Sequence, residues 1–84
     1  MPNDILRREA GRLRKLAATC AHQGDYETAY RLLKMVVDIE EGDVGVEKEW
    51  LAKDFHELGS ICILLDARQE AQQYLERAQE LRSS

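Results

Sequence analysis

Residues 24–39, GDYETAYRLLKMVVDI, return 42 positions later as 66–81, DARQEAQQYLERAQEL. The same offset relates Leu16 to Leu58, Ala17 to Gly59, Cys20 to Cys62, Ala29 to Ala71, Leu33 to Leu75 and Ile39 to Leu81. A chain of 84 residues with that period holds two copies of one unit. Tandem units that cannot each bury a core fold by stacking, and the stack is a scaffold for holding another molecule rather than a catalytic pocket.

The apolar spacing within each copy is helical. Ile5, Leu6, Leu13, Leu16, Ala17 and Cys20 mark a first helix that begins after Asn3 or Asp4 and stops at Gly24. Asp25 is placed to cap a second, whose inner face is Ala29, Leu32, Leu33, Val36, Val37 and Ile39. Gly42-Asp43-Val44-Gly45 reads as a loop, a third helix is expected from about Val46 to Leu65, and Asp66 is expected to cap a fourth, with Gln69 reaching back. Strand-like alternation is absent, so the expected class is all-α.

These residues carry a resemblance. The chain resembles the tetratricopeptide repeat family, whose unit is an antiparallel helix pair with large, small and aromatic side chains at fixed places. The first copy fills them with Leu13, Leu16, Ala17, Cys20, Ala29, Leu33 and Val36, and with Gly24-Asp25-Tyr26 at the turn. The second uses Phe55, Leu58, Gly59, Cys62, Ala71, Leu75 and Ala78. The resemblance implies one domain over 1–84, with repeats at about 4–43 and 44–84, stacked as a short right-handed α-solenoid. The period exceeds the family's usual length by about eight residues, falling around Asp43–Trp50, and Glu41 stands where a repeat-closing Pro is common. In this it is similar to the long repeats of the kinesin light chain.

The same resemblance puts Gly11, Arg14, Ala18, Ala21 and His22 of the first helix on the inner side of the stack, with Lys53, His56, Ser60, Ile63 and Leu64 of the third. Such a groove suits a peptide or helix with an apolar knob and carboxylates, Arg14 and Lys53 selecting the acid. Equally, Gly11, Ala18 and Ala21 would let a second copy pack closely. Trp50 is open to two readings, a core-edge ring at the start of the third helix or an exposed anchor for a partner. Relatives that grip a C-terminal carboxylate use Lys, Asn and Arg; Arg14, Ala18 and Glu57 stand at those places here, so that mode is not expected.

The third helix is apolar all round at Ile61, Cys62, Ile63, Leu64 and Leu65, and four helices cover only part of it, which points to self-association. Gln72, Gln73, Glu76, Gln79 and Glu80 let the fourth helix end the stack against water. The net charge of −4 is uneven: five basic against two acidic residues up to Gly24, then three against eight up to Trp50. A basic first helix fits a solvated face or an acidic partner; nucleic-acid binding is a third reading.

Enzyme chemistry finds little support. Cys20 and His22 lie about 200° apart around a helix, and no short zinc-ligand spacing or phosphate loop occurs. Glu40-Glu41 reads as a solvated helix end. No catalytic, metal or cofactor site is expected. Without an apolar stretch long enough for a membrane span or a signal peptide, the expected setting is cytoplasmic, with reduced thiols. The expected activity is that of an adaptor or scaffold, as a homodimer, with a self-assembly unit as the alternative.

Overall fold

The structure, a computed structural model, describes residues 2–83. The outermost bounds of the expected domain, Met1 and Ser84, lie outside the described residues. Four helices follow one another: α1 (Pro2–His22), α2 (Tyr26–Glu41), α3 (Lys48–Leu64) and α4 (Arg68–Ser83). No strand occurs among the described residues, and no helix is long and apolar enough to cross a membrane. α1 packs on α2, α3 on α4, and α2 joins the pairs through α3, giving a slab of 38 × 30 × 14 Å.

α1 starts earlier than the apolar pattern indicates, with Pro2 at a first position where its missing N–H costs nothing. It ends as expected at Gly24, whose φ of 83° is the left-handed conformation glycine takes freely. The Asp25 N–H then donates to the Cys20 carbonyl at 2.8 Å, and the Asp25 side chain accepts from the Thr28 N–H. α3 is shorter than the expected 46–65, and its N-cap position, Glu47, makes no side-chain cap.

At the start of α4 the expectation is overturned. Asp66 is not the N-cap; it has φ 60° and closes α3 as Gly24 closes α1. Ala67 donates to the Cys62 carbonyl at 2.8 Å and accepts from the Ala71 N–H, so it holds the N-cap position without a side-chain oxygen. Gln69 is therefore the second helical residue, not the third, and no capping box with Asp66 is possible. The 42-residue offset, which carries Gly24 to Asp66 and Asp25 to Ala67, is the better guide than an acidic residue before a helix. We expect Ala67→Asp to stabilise the fold by about 1 kcal/mol and Asp66→Gly by about 0.5–1 kcal/mol, read as higher urea midpoints at unchanged slope.

The core runs through all four helices: Ala17, Ala29, Leu33, Val37, Leu51, Phe55, Leu58, Ile61 and Ala78 form one cluster, and Ala10, Leu13 and Val36 a second. Gly59 is where the α3–α4 pair closes most tightly. A Cβ there would lie 2.8 Å from Leu75 Cγ and 3.2 Å from the Ala71 carbonyl oxygen. Phe55 stacks on Tyr74 with centroids 6.0 Å apart.

The two copies differ in cover. Leu58 is fully buried, whereas its counterpart Leu16 is 42% exposed. α2 lies against α3, and no described helix takes the corresponding place beside α1, so the same pattern yields a core position in one repeat and a surface position in the other. Ile63 and Leu64 are exposed as well, so the end of α3 is not covered on every side. The five polar residues named for the outer face of α4 all face solvent.

Candidate functional site

α3 divides sharply around its circumference. Leu51, Ala52, Asp54, Phe55, Leu58, Gly59, Ile61 and Cys62 are buried. The remaining arc holds Trp50, Lys53, His56, Glu57, Ser60, Ile63 and Leu64, which at 100° per residue occupy one continuous face. All five α3 residues expected in the groove are on it. The Ser60 hydroxyl donates back to the His56 carbonyl, and Ile63 and Leu64 are each more than half exposed. Trp50 stands at the other end, also about half exposed.

On α1, Gly11, Arg14, Ala18, Ala21 and His22 share a narrower arc beside the buried Ala10, Leu13 and Ala17. Ala18 and His22 are exposed; Gly11 and Ala21 are partly covered, the latter against the main core. Arg14 joins this stripe to α3. Its Nε and Nη2 donate to both Asp54 carboxylate oxygens at 2.8–3.3 Å, and Nη2 donates to Glu40 Oε2 at 3.2 Å. Its guanidinium also lies 5.3 Å from the Trp50 ring centroid, as does the Lys53 ammonium. Arg14 is thus held by two carboxylates of the same chain, and Lys53 stands on the exposed face of α3.

Family membership rests on the whole helical array. The model of the tetratricopeptide repeat matches residues 9–84. The chain belongs to the tetratricopeptide repeat family. No curated protein and no solved structure gives a significant match. Repeats of this family are in general protein–protein interaction modules, typically without enzymatic activity.

In this repeat protein the segment joining α2 to α3 and the start of α3 build one wall of an open pocket of about 270 Å³. Asp43, Gly45, Val46, Glu47 and Trp50 face Arg7, Ala10 and Arg14 of α1 across it, with Ile39 and Glu40 from the end of α2. The wall is pinned by Asp43, which accepts from Arg7 Nε at 2.6 Å and Nη2 at 3.1 Å and from the Gly45 N–H at 3.0 Å. The Arg7 hydrogen bond, seconded by the Gly45 amide, holds the Asp43 carboxyl below its ordinary range.

Glu40 is buried, contrary to its reading as a solvated helix end. Burial, followed by the hydrogen bond and charge of Asp54, pushes its carboxyl up to about 8 against the pull of Arg14. Its other oxygen, Oε1, is buried without a hydrogen-bond partner. The signal that could have found Glu40 and Asp54 is their spacing: each sits on an apolar stripe, after Leu33 and Val36 and between Leu51 and Leu58, where a charge needs a buried partner. Cys62 is sealed in the core, and burial raises its thiol above the ordinary value, the mark of an unreactive packed thiol. No group of three or more His, Cys, Asp or Glu fit for a metal occurs among the described residues.

Proposed function

We propose that the chain is an adaptor or scaffold module, acting as a homodimer, that docks a peptide or helix along the exposed face of α3 and the Arg14 stripe of α1, with 4–43 and 44–84 as its units. The observation that carries this is the α3 face itself. Trp50, Ile63 and Leu64 place large apolar surface at both ends of one helix, with the polar Lys53, His56, Glu57 and Ser60 between, the composition of a docking strip rather than of a solvated face. An acidic partner with an apolar knob would set the knob at Ile63-Leu64 and its carboxylate near Lys53. A cytoplasmic setting belongs to the same reading, consistent with two free thiols.

The second reading, a self-assembly unit whose strip is filled by its own copy, rests on the same exposed residues. Leu64→Glu separates the two. Light scattering of a folded variant that stays dimeric while losing capture of a partner supports the adaptor. A folded monomer assigns the strip to self-association. Nucleic-acid binding through α1 is disfavoured by its ion pairs: Arg7 is on Asp43, Arg12 on Glu9 and Arg14 on Asp54 and Glu40. If labelled DNA or RNA is nonetheless shifted at low salt, with an affinity falling steeply as salt rises, that reading returns.

A further inference from the structure

The first helix carries a seam that the fold leaves bare. Ile5, Glu9, Arg12, Leu16 and Thr19 follow one another at alternating steps of four and three residues, the spacing that keeps side chains on one line between two packed helices. All but Glu9 are exposed, Glu9 is partly so, and Leu6, also exposed, borders the seam on the side of the core. The 42-residue offset places Leu51, Asp54, Leu58 and Ile61 on the same line of α3, and there all four are buried. The first helix pair covers that line: α2 packs along α3, and Asp54 accepts from Arg14 of α1. α4 lies on the other side of α3, at Gly59. By the same geometry α1 can carry a further helix on its seam while keeping α2.

Charge decides the occupant. At the internal junction Glu40 and Asp54 hold Arg14 between them, and the offset turns these three into Arg82, Arg12 and His56. A second copy stacked end to end would therefore set the partner's Arg82 and the partner's His56 against Arg12, with no carboxylate at any of the three places. Tyr30 and Val37, which pack on the main core from α2, become Gln72 and Gln79, so the apolar cover is lost as well. Face to face, the seam matches itself. With two α1 helices antiparallel about a two-fold axis midway between Glu9 and Arg12, Ile5 stands opposite the partner's Leu16 and Glu9 opposite the partner's Arg12, and the axis makes each contact twice.

We propose that two copies of this chain pair through this seam, α1 against antiparallel α1, leaving the α3 strip of each copy free. This names the surface of the homodimer read above and rests on that reading. Arg8 and Lys15 border the seam with like charges on both copies, exposed and on stems long enough to turn their heads to water. With that rim, and apolar layers only at the two ends, the contact belongs to the weak class, with an expected Kd of about 10–100 µM. At concentrations well below it the single copy prevails, with Leu16 bare.

Sedimentation of the full chain from about 1 µM to about 1 mM should show one and two copies in exchange and nothing larger. Glu9→Arg and Arg12→Glu should each weaken the dimer about ten-fold or more, because each sets like charges across the axis. Mixing the two variants should restore a one-to-one dimer, since position 9 of either then meets an opposite charge at position 12 of the other. The double exchange, Glu9→Arg with Arg12→Glu, keeps the net charge and should pair as the wild type does. The wild-type measurement and the double exchange stand even if a single variant does not fold. A wild-type chain that stays single at about 1 mM, a mass that grows beyond two copies, single variants that pair as well as wild type, or a mixture that does not associate overturns the proposal. Leu64→Glu should leave the dimer unchanged. If it yields a folded monomer while the α1 variants stay dimeric, the α1 contact fails and the homodimer reading stands. If it leaves both the dimer and partner capture intact, the α3 strip fails alone.

Discussion

Leu58→Ala is expected to lower stability by about 3 kcal/mol, whereas Leu16→Ala, its counterpart one repeat earlier, should lose less than about 1 kcal/mol. Leu58 is fully enclosed in the main core, so truncation leaves a cavity among close-packed neighbours. Leu16 already shows 42% of its surface to water and has less burial to forfeit. A domain of this size is stable by roughly 4–13 kcal/mol, so the first variant should stand near the edge of folding, its Tm lower by roughly 12–20 °C. Parallel thermal melts of the two variants measure the asymmetry directly. Equal losses would mean that α1 is covered in solution by something beyond these four helices, and self-association would be the first thing to test.

Arg14→Ala is the second large effect. It leaves Glu40 and Asp54 facing each other without the cation between them. Breaking a buried pair costs about 3–5 kcal/mol, and the lower end applies because a quarter of the Arg14 side chain is exposed. The loss should grow with pH. In the native protein Glu40 binds its proton more tightly than in the unfolded chain, up to about 8 against an ordinary 4.5. A raised value means that its contribution is fully present below about 4.5 and disappears as pH rises through about 8, with a slope of at most about 1.4 kcal/mol per pH unit. Asp43 works in the opposite sense: its lowered value contributes above the ordinary 3.8 and is lost as pH falls. Stability should therefore peak on the acid side of neutrality, near pH 5, and decline toward pH 8. Glu40→Gln should flatten that decline. Without Arg14 the two carboxylates repel more strongly when ionised, so Arg14→Ala should lose more at pH 8 than at pH 5.5. Urea midpoints across that range decide the matter; an Arg14→Ala loss independent of pH would remove the carboxylate pair as the cause.

The helical architecture was legible because repetition supplied a second reading of every position. Gly24 and Asp25 announced the first turn directly. The second turn was misread at Asp66 because an acid before a helix is a common capping signal, although the offset from Gly24 pointed to the left-handed position. The residues expected in the groove share the exposed face of α3 and a partly covered stripe of α1, since spacing determines which residues share a face. Spacing does not determine what a charged side chain on that face will meet. Arg14 shares an arc with Gly11 and Ala18, yet its length carries it across to Asp54, forty positions away. Glu40 was hidden by its neighbour: Glu40-Glu41 looks like a charged helix end, and only the rotation between adjacent residues sends one inward and the other to solvent. The pocket wall depended on a loop conformation, which the pairing of Arg7 with Asp43 fixes and apolar periodicity does not encode.

The order in which the helices pack has a consequence for how the chain reaches its fold. The most extensive packing is between helices adjacent in sequence, so little of the fold requires a distant segment to be threaded and no sheet has to be zipped, and topology places the chain among rapid folders. α1–α2 and α3–α4 are each a hairpin that can assemble locally. Bonds such as Arg14–Asp54 and Tyr30–Glu70 tie helices 40 residues apart, and Arg7–Asp43 ties α1 to the connecting segment 36 residues away. That arrangement predicts a late step in which the two hairpins dock, apolar burial supplying the drive and these polar bonds selecting the register; substitutions at Arg14 or Asp54 should then change unfolding rates far more than folding rates.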